Sequence, residues 1–394
     1  MKRFVLLAML IWTGVVAAQM ELRVKPFVQV VSENQIGVSW LVTKNAFGEA
    51  KWKQQDGDDW AKAYYAVDGL RDANTPVQRA LLSGYDPALP LDIEVTSSEM
   101  LAFRVYRPVE YGSVVMHRPP QISALMSAEG ETSFAVFTDC HNRTNCYTEL
   151  LPKLGEGLRF VVLAGDNLSD PPTEQVAVDA LFQPMAWFTE QGLPCLFLRG
   201  NHETRGAFAR DLKRYLVLQS DRYYGAMSLG ELRLIWLDCG EDKADDSKEY
   251  YGLNDFEPYM QAQLEWLKQE LESEAFKRAQ WSIVITHIPP EWNNEESKKW
   301  QGSERMNTQF APLLSKAGVT AMICGHTHKP ELLPPSEKEG YGFKGPVFIG
   351  GSWPVEKQVV TRVDASRARL HITMINSEGE IVEAFEKSAV RYPN

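Results

Sequence analysis

The side chains best suited to chemistry are aspartates, an asparagine and histidines that follow short apolar runs. Five polar turns contain them, and five of the seven histidines lie in these turns: Asp139-Cys140-His141, Gly165-Asp166-Asn167, Gly200-Asn201-His202-Glu203, Thr286-His287 and Gly325-His326-Thr327-His328. Carboxylate, amide and imidazole groups together suit borderline metals. The turns therefore predict a centre for two divalent or trivalent metal ions, with manganese, iron and zinc as the candidates.

The spacing within the turns supports shared ligation. Asp139 and His141 are two positions apart, as are His326 and His328, and a turning backbone can direct both side chains of such a pair at one ion. Glycine precedes three of the candidate ligands, and it allows tight turns and a close backbone approach. Each turn taken alone has an ordinary interpretation as a solvated loop or a structural histidine. The prediction rests on all five occurring in order, each after an apolar run.

The elements that must position these turns are strands that alternate with helices after residue 132. Apolar runs typical of strands occur at 134–137, 160–164, 195–198, 232–237, 283–285 and 319–323. Helical patterns lie between them, at 173–190, 204–218, 256–274 and 307–317. This alternation predicts an α/β layered domain. Ligands of open α/β sheets bind at the carboxyl ends of strands, so the five turns should converge on one crevice.

The chain before residue 126 has a different pattern. Short alternating runs at 28–31, 35–42, 49–52, 78–82 and 93–95 are separated by turn residues, which is typical of an all-β sandwich of about 100 residues. Pro119-Pro120 and the polar residues 127–131 mark the boundary. We therefore expect a β-sandwich over 20–126 and a second domain over 130–394, in which the runs after residue 347 add closing strands.

The first 18 residues have the layout of an export signal. Lys2 and Arg3 precede an apolar run that ends in the small residues Val16-Ala17-Ala18. Residues 4–18 are too few for the roughly 20 that a membrane-spanning helix needs. We expect cleavage near Ala18 and a periplasmic or secreted protein without a later membrane span, with an uncleaved anchor as the alternative.

The 394-residue chain has a net charge of −11. A dominant basic face for nucleic acid is therefore not expected. The five cysteines are too sparse for a disulfide framework, and without a C-x-x-C motif they exclude a Cys₄ zinc site. Cys195, Cys239 and Cys324 fall in or beside apolar runs and are expected to be packing residues. Cys140 and Cys146 either pair or remain thiols.

The order D-x-H, G-D, G-N-H-E, H and G-H-x-H over residues 134–328 resembles the calcineurin-like metallophosphoesterase superfamily. The preceding β-rich region is similar to that of purple acid phosphatases, as are V-x-x-H ending at His287 and the segment 81–87 before a strand. The resemblance implies an N-terminal all-β sandwich of the fibronectin III type, followed by a four-layer α/β/β/α metallophosphoesterase domain.

The resemblance also implies a role for each candidate residue. One ion would be bound by Asp139, His141, Asp166 and His328, and the other by Asp166, Asn201, His287 and His326. Asp166 would bridge them, and His202 would be the general acid and transition-state stabiliser. The implied reaction is hydrolysis of a small phosphate mono- or diester by a metal-bridging water, with His202 protonating the leaving group.

Three positions depart from the family patterns. Ser169 stands where purple acid phosphatases have the tyrosine that gives their colour, so this protein should not be purple, and His141 replaces a glycine of that subgroup. Asp170 lies one residue beyond the aspartate that orients the catalytic histidine in protein serine/threonine phosphatases, which leaves an orienting role open.

Arg205 and the acidic stretch 241–246 have no motif to define them. Arg205 could bind a substrate phosphate, or it could be a solvated charge at a helix start. The acidic stretch is expected to be a solvated loop. Another class of function also stays open, an exported cell-surface or periplasmic binding protein with an inactive metallophosphoesterase domain. The complete ligand set and His202 favour an enzyme, and a DNA nuclease fits the acidic charge and export less well.

Overall fold

Two β-sheets form the centre of the molecule, one with twelve strands and one with six. The computed structural model describes residues 19–54, 59–248, 250, 252–290, 300–352 and 354–389. The expected export signal, residues 1–18, lies outside these ranges and remains a prediction. Within these ranges, no helix combines the length and hydrophobicity needed to cross a membrane.

Antiparallel strands form the N-terminal part. The described strands here are β1 (Leu22–Ser32), β2 (Gln35–Lys53), β3 (Ala61–Ala63), β4 (Ala66–Val67), β5 (Leu70–Arg71), β6 (Ala73–Ser83), β7 (Asp92–Ala102) and β8 (Glu110–His117). The first half of β2 lies between β1 and β6, and its second half pairs with β7 and β3. A register shift between Leu41 and Ala46 separates the halves. An irregularity of this kind bends a strand and allows it to change neighbours.

The second part supplies the parallel strands that the sequence predicts. Its described strands are β9 (Thr132–Phe137), β10 (Phe160–Ala164), β11 (Cys195–Leu198), β12 (Gly225–Leu229), β13 (Leu232–Leu237), β14 (Trp281–Thr286), β15 (Ala321–Cys324), β16 (Glu331–Leu333), β17 (Val347–Ile349), β18 (Val359–Ala365), β19 (Arg369–Asn376) and β20 (Ile381–Ser388). Strands β9, β10 and β11 are parallel in the large sheet, and β13, β14, β15 and β17 are parallel in the smaller one. The large sheet continues into the N-terminal part where β11 pairs with β1, at Cys195 and Gln29.

The helices are α1 (Asn145–Leu150), α2 (Glu174–Ala177), α3 (Gln183–Glu190), α4 (Phe256–Leu271), α5 (Glu274–Arg278), α6 (Gln301–Arg305) and α7 (Ala311–Lys316). π-helical turns at Val178–Phe182 and Met306–Phe310 make α2 continuous with α3 and α6 continuous with α7. The predicted helix at 204–218 is wrong, since this segment forms short 3₁₀ turns. Gly206 has φ 76°, and the Phe208 amide donates to the Pro171 carbonyl rather than to a preceding turn.

The hydrophobic core has three layers that follow from the alternation of side chains along the strands. In β10, Phe160 and Val162 face the cluster that lies between the two sheets, together with Ile283 of β14. Val161 of the same strand faces the opposite cluster, which includes residues of α3. A third cluster packs α4 against the outer face of the smaller sheet. Both faces of each parallel strand are therefore covered, which explains why these runs are apolar throughout.

The predicted strands are confirmed, and the mixed, sheet-rich fold agrees with the predicted α/β layering. The structure also contains described strands that lie outside the predicted runs, namely β3, β4, β5, β8, β12, β16 and β18. The domain boundaries at 20–126 and 130–394, the fibronectin III type of the first part and the four-layer description of the second remain predictions.

Candidate metal centre

The predicted site residues lie just beyond the carboxyl ends of five parallel strands. Asp139 and His141 follow β9, Asp166 follows β10, Asn201 and His202 follow β11, His287 follows β14, and His326 and His328 follow β15. Since β9 to β11 belong to one sheet and β14 and β15 to the other, the two sheets supply the residues jointly. The structure brings all eight predicted residues together, as the following distances show.

The first group consists of Asp139, His141 and His328, whose ligand atoms all lie within 4.8 Å of one another. His328 Nε2 is 3.3 Å from Asp139 Oδ1 and 2.9 Å from His141 Nε2. His141 Nε2 is also 3.9 Å from Asp166 Oδ2. Nitrogens and carboxylate oxygens that converge in this way point at one position, which is suited to a cation.

The second group consists of Asp166, His287 and His326, again within 4.8 Å of one another. Asp166 Oδ2 is 3.0 Å from His287 Nε2, and His326 Nδ1 is 3.1 Å from the amide oxygen of Asn201. Asp166 therefore lies beside both groups, as a bridging carboxylate would.

The polypeptide backbone is unusual at five of these residues. Asp139, His141, Asp166, His326 and His328 have φ angles of 57°, 45°, 51°, 74° and 55°. This left-handed region is uncommon for residues other than glycine, and such conformations cluster at functional sites where the surrounding structure enforces them. The turns after β9, β10 and β15 are thus bent sharply so that their side chains point into one crevice.

Glycines give the crevice its close backbone packing. A Cβ atom on Gly200 would lie 2.2 Å from Asp166 Oδ1, and one on Gly351 would lie 2.2 Å from Asp139 Oδ2. Gly351 also has φ 77°. These positions admit no side chain without displacing a candidate ligand.

We expect Gly351→Ala to lower metal content and to destabilise the fold by about 1–3 kcal/mol, because the new methyl group would collide with Asp139. Gly318→Ala is the matched control, since Gly318 has φ 78° but no atom within 4 Å of an added Cβ. Elemental analysis and thermal unfolding of both variants measure the difference. Equal metal content in the two variants would contradict the steric role of Gly351.

Buried charges dominate the electrostatics of the site. Burial alone would raise the pKa of Asp139 and Asp166, but His287 lies beside both and holds each pKa below its usual range. Burial would lower the pKa of His287, but the two carboxylates raise it to about 10. Burial lowers the pKa of His141 and of His326 to about 4. Two buried carboxylates need a nearby positive charge, and a protonated His287 or a metal ion can supply it.

The donor set fits metal ions on chemical grounds. His287 Nδ1 lies 3.0 Å from the Ala164 carbonyl oxygen, so a proton on Nδ1 leaves the Nε2 lone pair facing the carboxylates, as in metal-bound histidines. The pKa values near 4 keep His141 and His326 neutral and able to act as ligands. Two carboxylates, one amide and four imidazoles suit manganese, iron or zinc.

His202 lies at the open side of the crevice. Its Nε2 is 3.9 Å from Asp166 Oδ2, and its Nδ1 is 2.9 Å from Asp170 Oδ1. Burial alone would lower the pKa of His202, but Asp170 and Asp166 outweigh it and raise the pKa. Asp170, whose role the sequence left open, is therefore in contact with Nδ1 of His202, the imidazole nitrogen that faces away from the candidate metal centre.

Arg205 is an ion-paired side chain, and its interpretation as a solvated charge is wrong. Its Nε and Nη2 atoms donate to the two carboxylate oxygens of Glu241 at 2.9 and 2.8 Å, and Nη2 also reaches Asp242 at 3.1 Å. The start of the acidic stretch is therefore not a solvated loop, since Glu241 is 1% exposed and Asp242 4%. Arg205 Nη1 lies 3.1 Å from His202 Nε2, at the same opening.

Sequence reasoning missed Glu203 as a structural part of the site, although it was within the G-N-H-E motif. This fully buried carboxylate accepts hydrogen bonds from the backbone amides of Asp166, Gly200 and Leu168 at 2.7–2.9 Å. It thereby ties the turn after β10 to the turn after β11. Gln358, which donates to the Thr138 carbonyl oxygen at 2.7 Å, supports the turn after β9 and has no recognisable signal in the sequence.

Comparisons with known proteins agree with this geometry. The sequence model described as calcineurin-like phosphoesterase matches residues 132–330, just over half of the chain. A mouse (Mus musculus) protein named serine/threonine-protein phosphatase CPPED1 is 26% identical over 187 residues, which are 46% of this chain and 57% of that protein. Purple acid phosphatase 21 of Arabidopsis thaliana is 28% identical over 87 residues, 22% of this chain and 20% of that protein.

The chain thus spans little more than half of the mouse relative and a fifth of the plant relative. Among solved structures, purple acid phosphatase PPD1 from yellow lupin (Lupinus luteus) seeds aligns with a TM-score of 0.65 at 12% identity, over 92% of this chain and 74% of that one. That likeness shows a shared fold that extends into the N-terminal β-rich part. The family match covers every residue of the candidate centre, and the chain belongs to the calcineurin-like phosphoesterase family.

Proposed function

We propose that the protein is a hydrolase that cleaves small phosphate mono- or diesters at a two-metal centre. The observation that carries this proposal is the convergence of two groups of ligand atoms on the shared carboxylate of Asp166, with His202 at the open side. Family membership supports the same class of reaction.

Asp139, His141, Asp166 and His328 would hold one ion, and Asp166, Asn201, His287 and His326 the other. When bound, the two ions would lower the pKa of a water molecule and neutralise charge on the phosphoryl oxygens. Glu203 would keep the turns that carry Asp166 and Asn201 in register through its three backbone hydrogen bonds.

His202 would be the general acid. Its raised pKa keeps the imidazole protonated at a higher pH than usual, and its partly exposed ring borders the opening where a leaving group would depart. A positioned acid of this kind typically contributes 10²–10⁴ in rate. Asp170 would hold the ring in orientation through Nδ1, so that the proton on Nε2 faces the ester oxygen.

Asp170→Asn should shift the alkaline limb of the pH–rate profile to lower pH. The Asp170 carboxylate raises the pKa of His202, so its removal lowers that pKa, and the acid form that the reaction requires is lost earlier as pH rises. The measurement is kcat/KM against pH for the variant and for the control Asp211→Asn, which alters an aspartate that pairs with Arg214 instead of a histidine. An unchanged alkaline limb in the Asp170→Asn profile would contradict the proposal that Asp170 keeps His202 in its acid form.

Arg205 would bind a phosphoryl oxygen. Glu241 holds two of its nitrogens, which leaves Nη1 beside His202 Nε2, so two donors face the same space. Hydrogen bonds to charged groups contribute about 1.5–3 kcal/mol, enough to weaken substrate binding by roughly tenfold or more when one is lost.

Arg205→Lys should therefore raise KM about tenfold while metal content stays unchanged, because lysine keeps a positive charge beside the buried Glu241 but cannot bind it and the phosphate together. Arg210→Lys is the control, since Arg210 is exposed on the same segment and contacts the Leu253 carbonyl oxygen. Steady-state kinetics on an aryl phosphate separate KM from kcat. An unchanged KM in Arg205→Lys would remove Arg205 from the substrate site.

The test of the proposed function is hydrolysis of p-nitrophenyl phosphate and of bis(p-nitrophenyl) phosphate by the purified protein. We expect activity with Mn²⁺ that a chelator abolishes and added Mn²⁺ restores, and the ratio of the two rates separates monoesterase from diesterase. Bound metal with no turnover of either ester would favour the alternative, an exported binding protein with an inactive metallophosphoesterase domain.

We also propose a domain organisation in which residues 20–126 form a sandwich of the fibronectin III type and residues 130–394 form a four-layer α/β/β/α domain. A third proposal is that the chain is exported after cleavage near Ala18. The antiparallel strands before residue 120 support the first point, and the helices outside the two sheets support the second. The signal-like pattern of residues 1–18 supports the third. N-terminal sequencing of protein recovered outside the cytoplasm tests the export.

A further inference from the structure

The sulfur atoms of Cys140 and Cys146 lie 2.8 Å apart, and each cysteine is only 1% exposed. Cys195, Cys239 and Cys324 are buried as well, and among the described residues none of the three sulfur atoms contacts another cysteine sulfur. The structure therefore singles out one pair of cysteines, the same pair that the sequence left undecided.

The pair joins the candidate metal centre to the neighbouring helix. Cys140 lies between Asp139 and His141 on the turn after β9, and Cys146 lies in the first turn of α1. The turn has left-handed backbone at both metal-ligand positions and again at Asn142. A covalent link at Cys140 would restrict the conformation of the neighbouring residues that are held in this unfavourable backbone region.

We propose that Cys140 and Cys146 form a disulfide bond that fastens the first metal-ligand turn to α1. In this reaction the two thiols lose two protons and two electrons as the S–S bond forms, and a disulfide oxidant of the protein or glutathione type is reduced to two thiols. Disulfides persist in oxidising compartments, which is where the proposed export would take this chain. Because both sulfur atoms are buried, the oxidant would react while the chain folds or when the turn opens locally.

Counting thiols tests the bond directly. The purified protein is equilibrated in buffer containing glutathione disulfide, denatured and alkylated. We expect three modified cysteines without reductant and five after treatment with a phosphine. Trypsin cleaves after Arg143, between the two cysteines, so the bond should appear as two peptides of one combined mass that separate on reduction. Five modified cysteines under the oxidising conditions, or linkage to a different cysteine, would overturn the proposal.

Metal retention tests the fastening role, which rests on the metal centre proposed above. Supporting groups around metal ligands typically alter affinity 10–100-fold, so we expect the phosphine to weaken Mn²⁺ binding about tenfold. Mn²⁺ is the probe because, unlike zinc, it has little affinity for free thiols. Cys146→Ala should bind Mn²⁺ like the reduced protein and should not respond to the phosphine.

The control is Cys195→Ala, which removes a buried cysteine of β11 and keeps the pair. It should respond to the phosphine like the unaltered protein. Equal Mn²⁺ affinity of the oxidised and reduced forms would overturn the fastening role even if the bond is present. Neither experiment uses a phosphate ester, so an absence of hydrolysis would contradict the proposed function without affecting these results.

Discussion

Asp166→Asn should lose both metal ions together and at least about 10³-fold in kcat/KM. The carboxylate of Asp166 lies beside both groups of ligand atoms, 3.9 Å from His141 Nε2 and 3.0 Å from His287 Nε2. An amide keeps the shape but lacks the negative charge and one of the two oxygen donors, so neither ion would be held well. The lost stabilisation of several kcal/mol corresponds to a thousandfold or more in rate.

Elemental analysis of the purified variant measures the metals, and circular dichroism checks that the fold is intact. Asp238→Asn is the matched control, because Asp238 is equally buried but pairs with Arg199 and not with any candidate ligand. It should keep both metals. Full occupancy of either ion in Asp166→Asn would contradict the bridging assignment.

His202→Ala should keep both metal ions and lose about 10²–10⁴ in kcat, the usual contribution of a positioned acid. Among the five histidines of the motifs, His202 is the proposed acid, and its contacts with Asp170 and Arg205 lie on the open side of the crevice. Its removal leaves the other ligand atoms in place. The loss should be larger for an alkyl phosphate than for p-nitrophenyl phosphate, because nitrophenolate leaves readily without a proton.

His371→Ala is the control for His202→Ala, since His371 lies on β19 outside the crevice and should leave both kcat and metal content unchanged. If His202→Ala protein is depleted of metal, His202 is a ligand instead, which its position within 4.8 Å of His141 and Asp166 allows. An equal loss on both esters would argue against protonation of the leaving group.

The candidate ligands could be predicted because each follows an apolar run at a strand end. Parallel strands place their carboxyl ends at one edge of a sheet, so the order of motifs along the chain already implied one crevice. Asp170 could not be assigned, because a one-residue offset leaves open whether its carboxylate reaches His202. The left-handed φ of 46° at Asp170 accompanies its contact with Nδ1.

The prediction of a helix at 204–218 was wrong because, as for Asp170, the outcome depended on tertiary contacts. The apolar spacing of Phe208, Leu212 and Tyr215 is genuine and all three side chains are buried, but a pattern of burial does not specify which backbone hydrogen bonds form. Gly206 and the Pro171 carbonyl direct the backbone into 3₁₀ turns instead. The apolar spacing favoured an α-helix, but the contact with the Pro171 carbonyl determined the backbone conformation of this segment.

By itself, the sequence determined the strands of the parallel sheets, the identity of the candidate ligands and the family, because these depend on side-chain type and on spacing within short segments. Only the tertiary structure decided that Glu241 holds Arg205 beside His202, that Gly351 must lack a side chain next to Asp139, and that Cys140 meets Cys146. Such contacts depend on the distance and direction between side chains in the folded chain, which the spacing of residues in a sequence does not specify.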